Sequence, residues 1–231
     1  MAGWIKMDTP QQVEQPVQQR TGPNLKVNPN FHDGKRAFIV DNFYQDPDAV
    51  REYALQQEFF DDEGYIGRRT RTQHFFPGVK EAFESIIGDR ITAWEEYGMN
   101  GRFQHNVAGE KLVYHCDHQK WAAMIYLTPW APPECGTATY RHRETKLHHN
   151  SQFTWGEDGT GYKVFPGDTF VDKTRYETVD VFGNIYNRLV IFEGGCIHGA
   201  HEYFGSTLEN ARLWHMFFFD TGPSRVDWEN G

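Results

Sequence analysis

A chain of 231 residues, 39% hydrophobic, 16% aromatic and 24% charged, is long enough for one sizeable core and has the composition of a globular protein. Its formal net charge of -9 argues against the broad basic face that captures nucleic acid or an anionic membrane, and no window approaches the roughly 20 apolar residues that span a bilayer. Three cysteines, Cys116, Cys135 and Cys196, lack C-x-x-C spacing and read as reduced thiols; with no apolar leader, the expectation is a soluble cytoplasmic protein.

Residues 1–30 are rich in Gln and Pro without hydrophobic periodicity, so they bury too little to offset the entropy of ordering and read as a flexible tail. Residues 31–100 read as strand and helical support of the core. A strand over Ala37–Val40 runs into Asp46, a helix N-cap, with Pro47 at the first helical position, which predicts a helix over 47–57. "GRRTRT" sets Arg68, Arg69 and Arg71 together and reads as a solvated basic loop ahead of an anion site. Val79, Phe83, Ile86, Ile87, Ile91 and Trp94 recur at helical spacing and predict a second helix over 79–97, broken or kinked at Gly88.

From Gly101 the pattern becomes short apolar segments: "KLVYH", "AAMIYLT", "GTATYR", "KVFPGDTFV", "NRLVIFE" and "RLWHMFFFD". Many short strands separated by Gly, Pro, Asn and Asp predict a mostly β sandwich or jelly roll over 101–222, forming one domain with 31–100 and with the helices on one face. Residues 223–231 read as a C-terminal tail, and 141–187 as the longest connection, loop-like at "HRETKLHHN" and "GEDGTG".

Strand side chains alternate, so His115 and Asp117 face one way and Tyr114 and Cys116 the other. His198, behind an apolar strand and a Gly194-Gly195 turn, offers a third ligand, although His201 three residues on is an alternative. Two imidazoles and one carboxylate form the facial triad that holds non-haem Fe(II) with positions left open. The H-x-D pair alone says little among 11 histidines and 32 acidic residues. Arg212 opens the last apolar run, where an inward guanidinium needs a carboxylate and a dicarboxylic cosubstrate would supply one. The bland alternative is a surface ion pair at the strand's end. His105, His118, His142, His148, His149 and His215 read as surface or hydrogen-bonded core groups, His118 also as a group orienting a ligand.

The order H-x-D, Y-L-T, G-T, N-R-L-V-I-F, H, R resembles the 2-oxoglutarate/Fe(II)-dependent oxygenase superfamily, nearest its prolyl-4-hydroxylase-like branch, over about residues 101–220. "FIVDNFYQDPDAVREYAL" is similar to the strand-helix entry of uncharacterised members. The resemblance implies a double-stranded β-helix (jelly roll, cupin-like) core packed against N-terminal helices, with His115, Asp117 and His198 as iron ligands. It further implies Arg212 on the far carboxylate of 2-oxoglutarate, Tyr126 hydrogen-bonding that carboxylate, and O2 as second cosubstrate. The reaction implied is hydroxylation of an unactivated C–H bond with release of succinate and CO2, desaturation or demethylation remaining open. Halogenation is disfavoured because Asp117 stands where halogenases carry a small residue. The interval from His198 to Arg212 is longer than in many members.

Two other readings stand beside it: a jelly-roll metal-binding or sensor protein without turnover, and a zinc hydrolase for which Glu193 is the one nearby base. A small molecule, a free or carrier-bound amino acid and a protein side chain are all open as substrates, as is the oligomeric state. "GYIGRRTRTQHFF" and 141–187 are the expected walls of the entrance.

Overall fold

The computed structural model describes residues 36–62, 64–152 and 170–222. The two expected tails, "GEDGTG" and most of "KVFPGDTFV" lie outside the described residues.

Among the described residues eleven strands and two α-helices follow in chain order: β1 (Ala37–Val40), α1 (Pro47–Leu55), β2 (Phe60–Asp61), β3 (Arg68–Arg69), α2 (Val79–Ile87), β4 (Ile91–Ala93), β5 (Arg102–Asn106), β6 (Trp121–Tyr126), β7 (Thr137–His142), β8 (Tyr176–Phe182), β9 (Leu189–Glu193), β10 (His198–Ala200) and β11 (Arg212–Thr221). The fold is mostly β, as expected. Its larger sheet runs β1-β9-β6-β11-β5-β3-β2, with β4 also on β11, and the smaller runs β10-β7-β8. Every pairing is antiparallel.

The middle strands of the large sheet are apolar on both faces, and the alternation sorts them. Trp121, Ala123 and Ile125 of β6, Leu189 and Ile191 of β9, and Leu213, Phe217 and Phe219 of β11 join Val79 and Phe83 of α2 and Ala54 of α1 in one core. Their neighbours Ala122, Tyr126, Val190, Phe192, Trp214 and Met216 form a second cluster on the opposite face. Continuous apolar runs are what a sheet covered on both sides requires.

Helix α1 starts as read: Asp46 Oδ1 accepts the Ala49 N–H at 3.0 Å, and Pro47 sits in the first turn. The second helix does not reach residue 97. Gly88 takes the left-handed conformation (φ 80°) and caps α2, after which Ile91 enters β4. Ile91 and Trp94 still reach the same core from a strand and the segment after it, which is why their spacing mimicked a helix. Two other expectations change. "KLVYH" is extended but makes only an isolated bridge, His115 to His198. The 141–187 connection contains β8, which pairs with β7 from end to end around one irregularity at Val179.

Candidate metal centre and its cavity

The bridge between His115 and His198 is a reciprocal backbone pair, His115 N–H to His198 C=O at 3.0 Å and the reverse at 2.8 Å. Paired antiparallel residues share a face, so the two imidazoles stand side by side with centroids 4.4 Å apart. Asp117, two residues on, has its N–H held by Gly194 C=O at 2.7 Å and points the same way. Tyr114, on the other face, packs in a separate tyrosine cluster against which Cys116 also rests. The crossing is tight: a side chain at Gly199 would collide with the Val113 carbonyl oxygen, and one at Gly194 with that of Gln119.

His115 Nε2 lies 3.5 Å from Asp117 Oδ1, and His198 Nε2 lies 3.3 Å from Asp117 Oδ2. One ligand atom from each of the three falls within 4.8 Å of the others. His198 Nδ1 donates to Cys196 C=O at 2.8 Å, which fixes the tautomer and turns the Nε2 lone pair to the cluster. Electrostatics bind the three into one unit. Burial favours the neutral form of Asp117, but the charges of His198, then His115 and His118, hold its carboxyl below the usual range. Burial likewise opposes protonation of His198, yet the Asp117 carboxylate raises it overall. His115 opens to the cavity with 42% of its side chain accessible but sits deep in the fold; burial and then the His198 charge push it down to about 4.

All three line a cavity of about 620 Å³, within the usual range for small-molecule sites. Arg212 enters it from the start of β11, 2% exposed. Its Nε donates to Cys135 C=O at 3.1 Å, and Nη2 donates to Thr137 Oγ1 at 2.9 Å and Gly136 C=O at 3.4 Å. The guanidinium lies 4.1 Å from the Trp214 ring centroid. Every one of these partners is neutral, and among the described residues no carboxylate is within ion-pair distance. The surface ion pair weighed for Arg212 is therefore not what the structure contains.

Tyr126 is fully buried but stands behind the cavity wall rather than on it: its hydroxyl donates to Thr137 Oγ1 at 3.0 Å, and its ring is 5.4 Å from the Arg212 guanidinium. It supports Arg212 through Thr137. His201 is not brought to the cluster; its Nδ1 donates to Glu134 C=O at 2.9 Å. Glu193 instead sits beside Cys196 and His149 in a separate group.

The expected entrance walls are half right. Gly64, Tyr65, Ile66 and Arg69 line the cavity, as do Glu96 to Met99, but none of the described residues of 141–187 does. Arg69, read as part of a solvated loop, is buried at 7% exposure, whereas Arg68 is exposed. Gln104 and Tyr203 are wall residues that no local motif announced, and Thr137, of the G-T step, lines the cavity with them.

No helix among the described residues is long and apolar enough to cross a membrane. No curated protein matches the chain. Among solved structures, HygX from Streptomyces hygroscopicus with nickel, 2-oxoglutarate and hygromycin B bound is similar at 10% identity and a TM-score of 0.48, over 82% of this chain and 83% of that one. A prolyl hydroxylase from Trichoplax adhaerens, in complex with a hypoxia inducible factor peptide fragment, is similar at 12% identity and 0.44, over 79% and 82%. A Pseudomonas putida prolyl-4-hydroxylase is similar at 15% identity and 0.39, over 80% and 93%. Such scores are too low to carry function across. A family model, by contrast, matches residues 21–209, most of the chain including the His115, Asp117 and His198 cluster: the protein belongs to the family of unknown function DUF6445.

Proposed function

We propose that the protein is a non-haem Fe(II)/2-oxoglutarate-dependent dioxygenase that hydroxylates an unactivated C–H bond and releases succinate and CO2. The observation that carries this reading is the buried guanidinium of Arg212, met only by neutral groups, in the same cavity as a cluster of two imidazoles and one carboxylate. A cation so placed is costly without an anion, and a dicarboxylic cosubstrate reaching from the cluster supplies one.

The residues fit Fe(II). The donor set is that of the facial triad, and Asp117 Oδ2 is buried without a hydrogen bond of proper geometry, an orphaned acceptor that a cation would satisfy. His115, Asp117 and His198 would hold the metal, which with 2-oxoglutarate and O2 supplies the oxidising power for C–H cleavage. Cys196 C=O orients the His198 ring, and Asp117 offsets part of the metal charge. Arg212 binds the far carboxylate of the cosubstrate, held in place by Thr137 and, behind it, Tyr126. Met124, Phe192, Trp214 and Met216 give the cavity an apolar wall that excludes water.

The same reading takes 101–222 as a double-stranded β-helix core supported by 31–100 in one domain, which the two antiparallel sheets support. It takes the protein as cytoplasmic, which three free thiols support. The test is an anaerobic titration of the apo-protein with Fe(II) and then 2-oxoglutarate, following the visible absorption that appears only when iron chelates the oxo acid. The band is expected in the wild type, absent in His198→Ala and weakened in Arg212→Ala. Iron binding with no response to 2-oxoglutarate would leave a metal-binding protein without turnover.

A further inference from the structure

The cavity contains a second buried cation that this function does not use. Arg69, on β3, pairs with Gln104 of β5, which in turn pairs with Trp214 of β11. Residues paired across antiparallel strands share a face, so Arg69, Gln104 and Trp214 form a row on the cavity side, and Arg212 is two residues from Trp214 on that same face. With β3 two strands from β11 and Arg212 two residues along from Trp214, the two arginine backbones stand roughly 12 Å apart. The two guanidiniums share no hydrogen-bond partner: Arg69 is held by Gln104 and Ile66, Arg212 by Cys135, Gly136 and Thr137.

The Arg69 guanidinium is partly engaged. Nε donates to Gln104 Oε1 at 2.5 Å and Nη2 to Ile66 C=O at 3.3 Å, while the Tyr65 ring covers it with its centroid 4.5 Å away. Nη1 is buried and has no hydrogen-bond partner among the described residues. Asp62, whose charge reaches Arg69, pairs instead with Arg102 Nη1 at 3.9 Å. An unpaired buried donor on a buried cation is costly, and the arrangement makes sense when the cavity is filled by something that meets it.

We propose that Arg69 anchors a carboxylate of the substrate, so that the molecule oxidised is a small carboxylic acid with an apolar body. This rests on the reading above, in which the cosubstrate takes the charge of Arg212 and leaves Arg69 Nη1 unmet. The rest of the wall sets the body: Ile66, Met99, Val113, Met124 and Phe218 offer apolar surface. The charge sets the head, because one guanidinium neutralises one negative charge, as on a carboxylate, whereas a phosphate monoester carries close to two.

The experiment is calorimetric titration of the full chain, without metal and in excess 2-oxoglutarate so that Arg212 is occupied, with three probes that share one body: octanoate, octyl phosphate and octan-1-ol. Octanoate is expected to bind about tenfold or more tightly than the alcohol, and Arg69→Gln to remove that advantage. Arg69→Lys is expected to restore part of it. Equal binding of acid and alcohol would overturn the proposal, as would an advantage of the acid that survives Arg69→Gln. Tighter binding of octyl phosphate would overturn the carboxylate assignment. If Arg69→Gln loses its cooperative melt, the head-group series on the wild type and Arg69→Lys decide. Because metal is left out, failure of the iron site would show in the Fe(II) titration and leave this result intact.

Discussion

The two faces of β11 divide the molecule. Leu213, His215, Phe217 and Phe219 point to the helices, where Phe83 of α2 meets Phe217 at 5.1 Å and Phe219 at 5.6 Å between ring centroids. Even the polar member of that face is fully employed: His215 Nδ1 accepts from the Tyr44 hydroxyl at 2.8 Å, and Nε2 donates to Gly101 C=O at 3.1 Å. Arg212, Trp214 and Met216 point the other way into a cavity, and there the guanidinium has no anion. One strand thus supplies stability with its odd residues and chemistry with its even ones. The distinguishing mark is not burial, which both faces share, but whether a buried polar group is satisfied.

The sharpest way to separate the faces is to damage one and read the other. Phe83→Ala removes a ring from the closed core and should cost about 3–5 kcal/mol in chemical denaturation. The fraction that remains folded should bind Fe(II) as the wild type does; a weakened site in that fraction would mean that the faces are coupled. Gly199→Ala works from the other side. The new methyl group meets the Val113 carbonyl, and the strain is borne by the backbone pair that aligns His115 with His198. A cost of about 1–3 kcal/mol is expected, with metal affinity falling by more than the loss of folded protein explains.

How far the sequence discloses this division depends on range. Asp46-Pro47 is a local signal and marks the helix start correctly, because the cap is made within four residues. The alternation that puts His115 and Asp117 on one face is equally local, and the turn at Gly194 and Gly195 makes His198 readable. Arg69 is different. Its burial comes from a two-residue strand laid against Gln104, 35 positions away, and nothing in "GRRTRT" distinguishes Arg69 from the exposed Arg68 beside it. The end of α2 was obscured by the core itself, since Ile91 and Trp94 face the same apolar cluster as Phe83 whichever element bears them. Strand β8 was hidden because four of its seven positions, Thr178 to Val181, are exposed, so it lacks the buried apolar run that marks the inner strands.

A smaller effect comes from acid. Burial above all pushes His215 down to about 3, from an ordinary value of 6.5 when unfolded. Between those values the unfolded chain binds a proton that the folded chain refuses. This contribution is therefore fully present above about pH 6.5 and is lost as pH falls, with a slope of up to about 1.4 kcal/mol per pH unit. Urea melts at pH 7, 6 and 5 on the wild type and His215→Phe should show a shallower decline in the variant, despite its lower stability at pH 7. Parallel declines would remove His215 as the acid-sensitive group of the core face.

The smallest effect tests how deep the functional face extends. Thr137 Oγ1 accepts from both Arg212 Nη2 and the Tyr126 hydroxyl, so Tyr126, outside the cavity wall, reaches a ligand only through Thr137. Thr137→Val removes that acceptor and should weaken the response to 2-oxoglutarate about tenfold, with Thr137→Ser restoring it. Tyr126→Phe should weaken it less. If Tyr126 acts through Thr137, its effect disappears in the Thr137→Val background, and the two changes are non-additive by roughly the whole cost of the tyrosine substitution. If Tyr126→Phe costs the same in both backgrounds, the hydroxyl touches the cosubstrate itself, and the side chain must turn toward the cavity when the ligand binds.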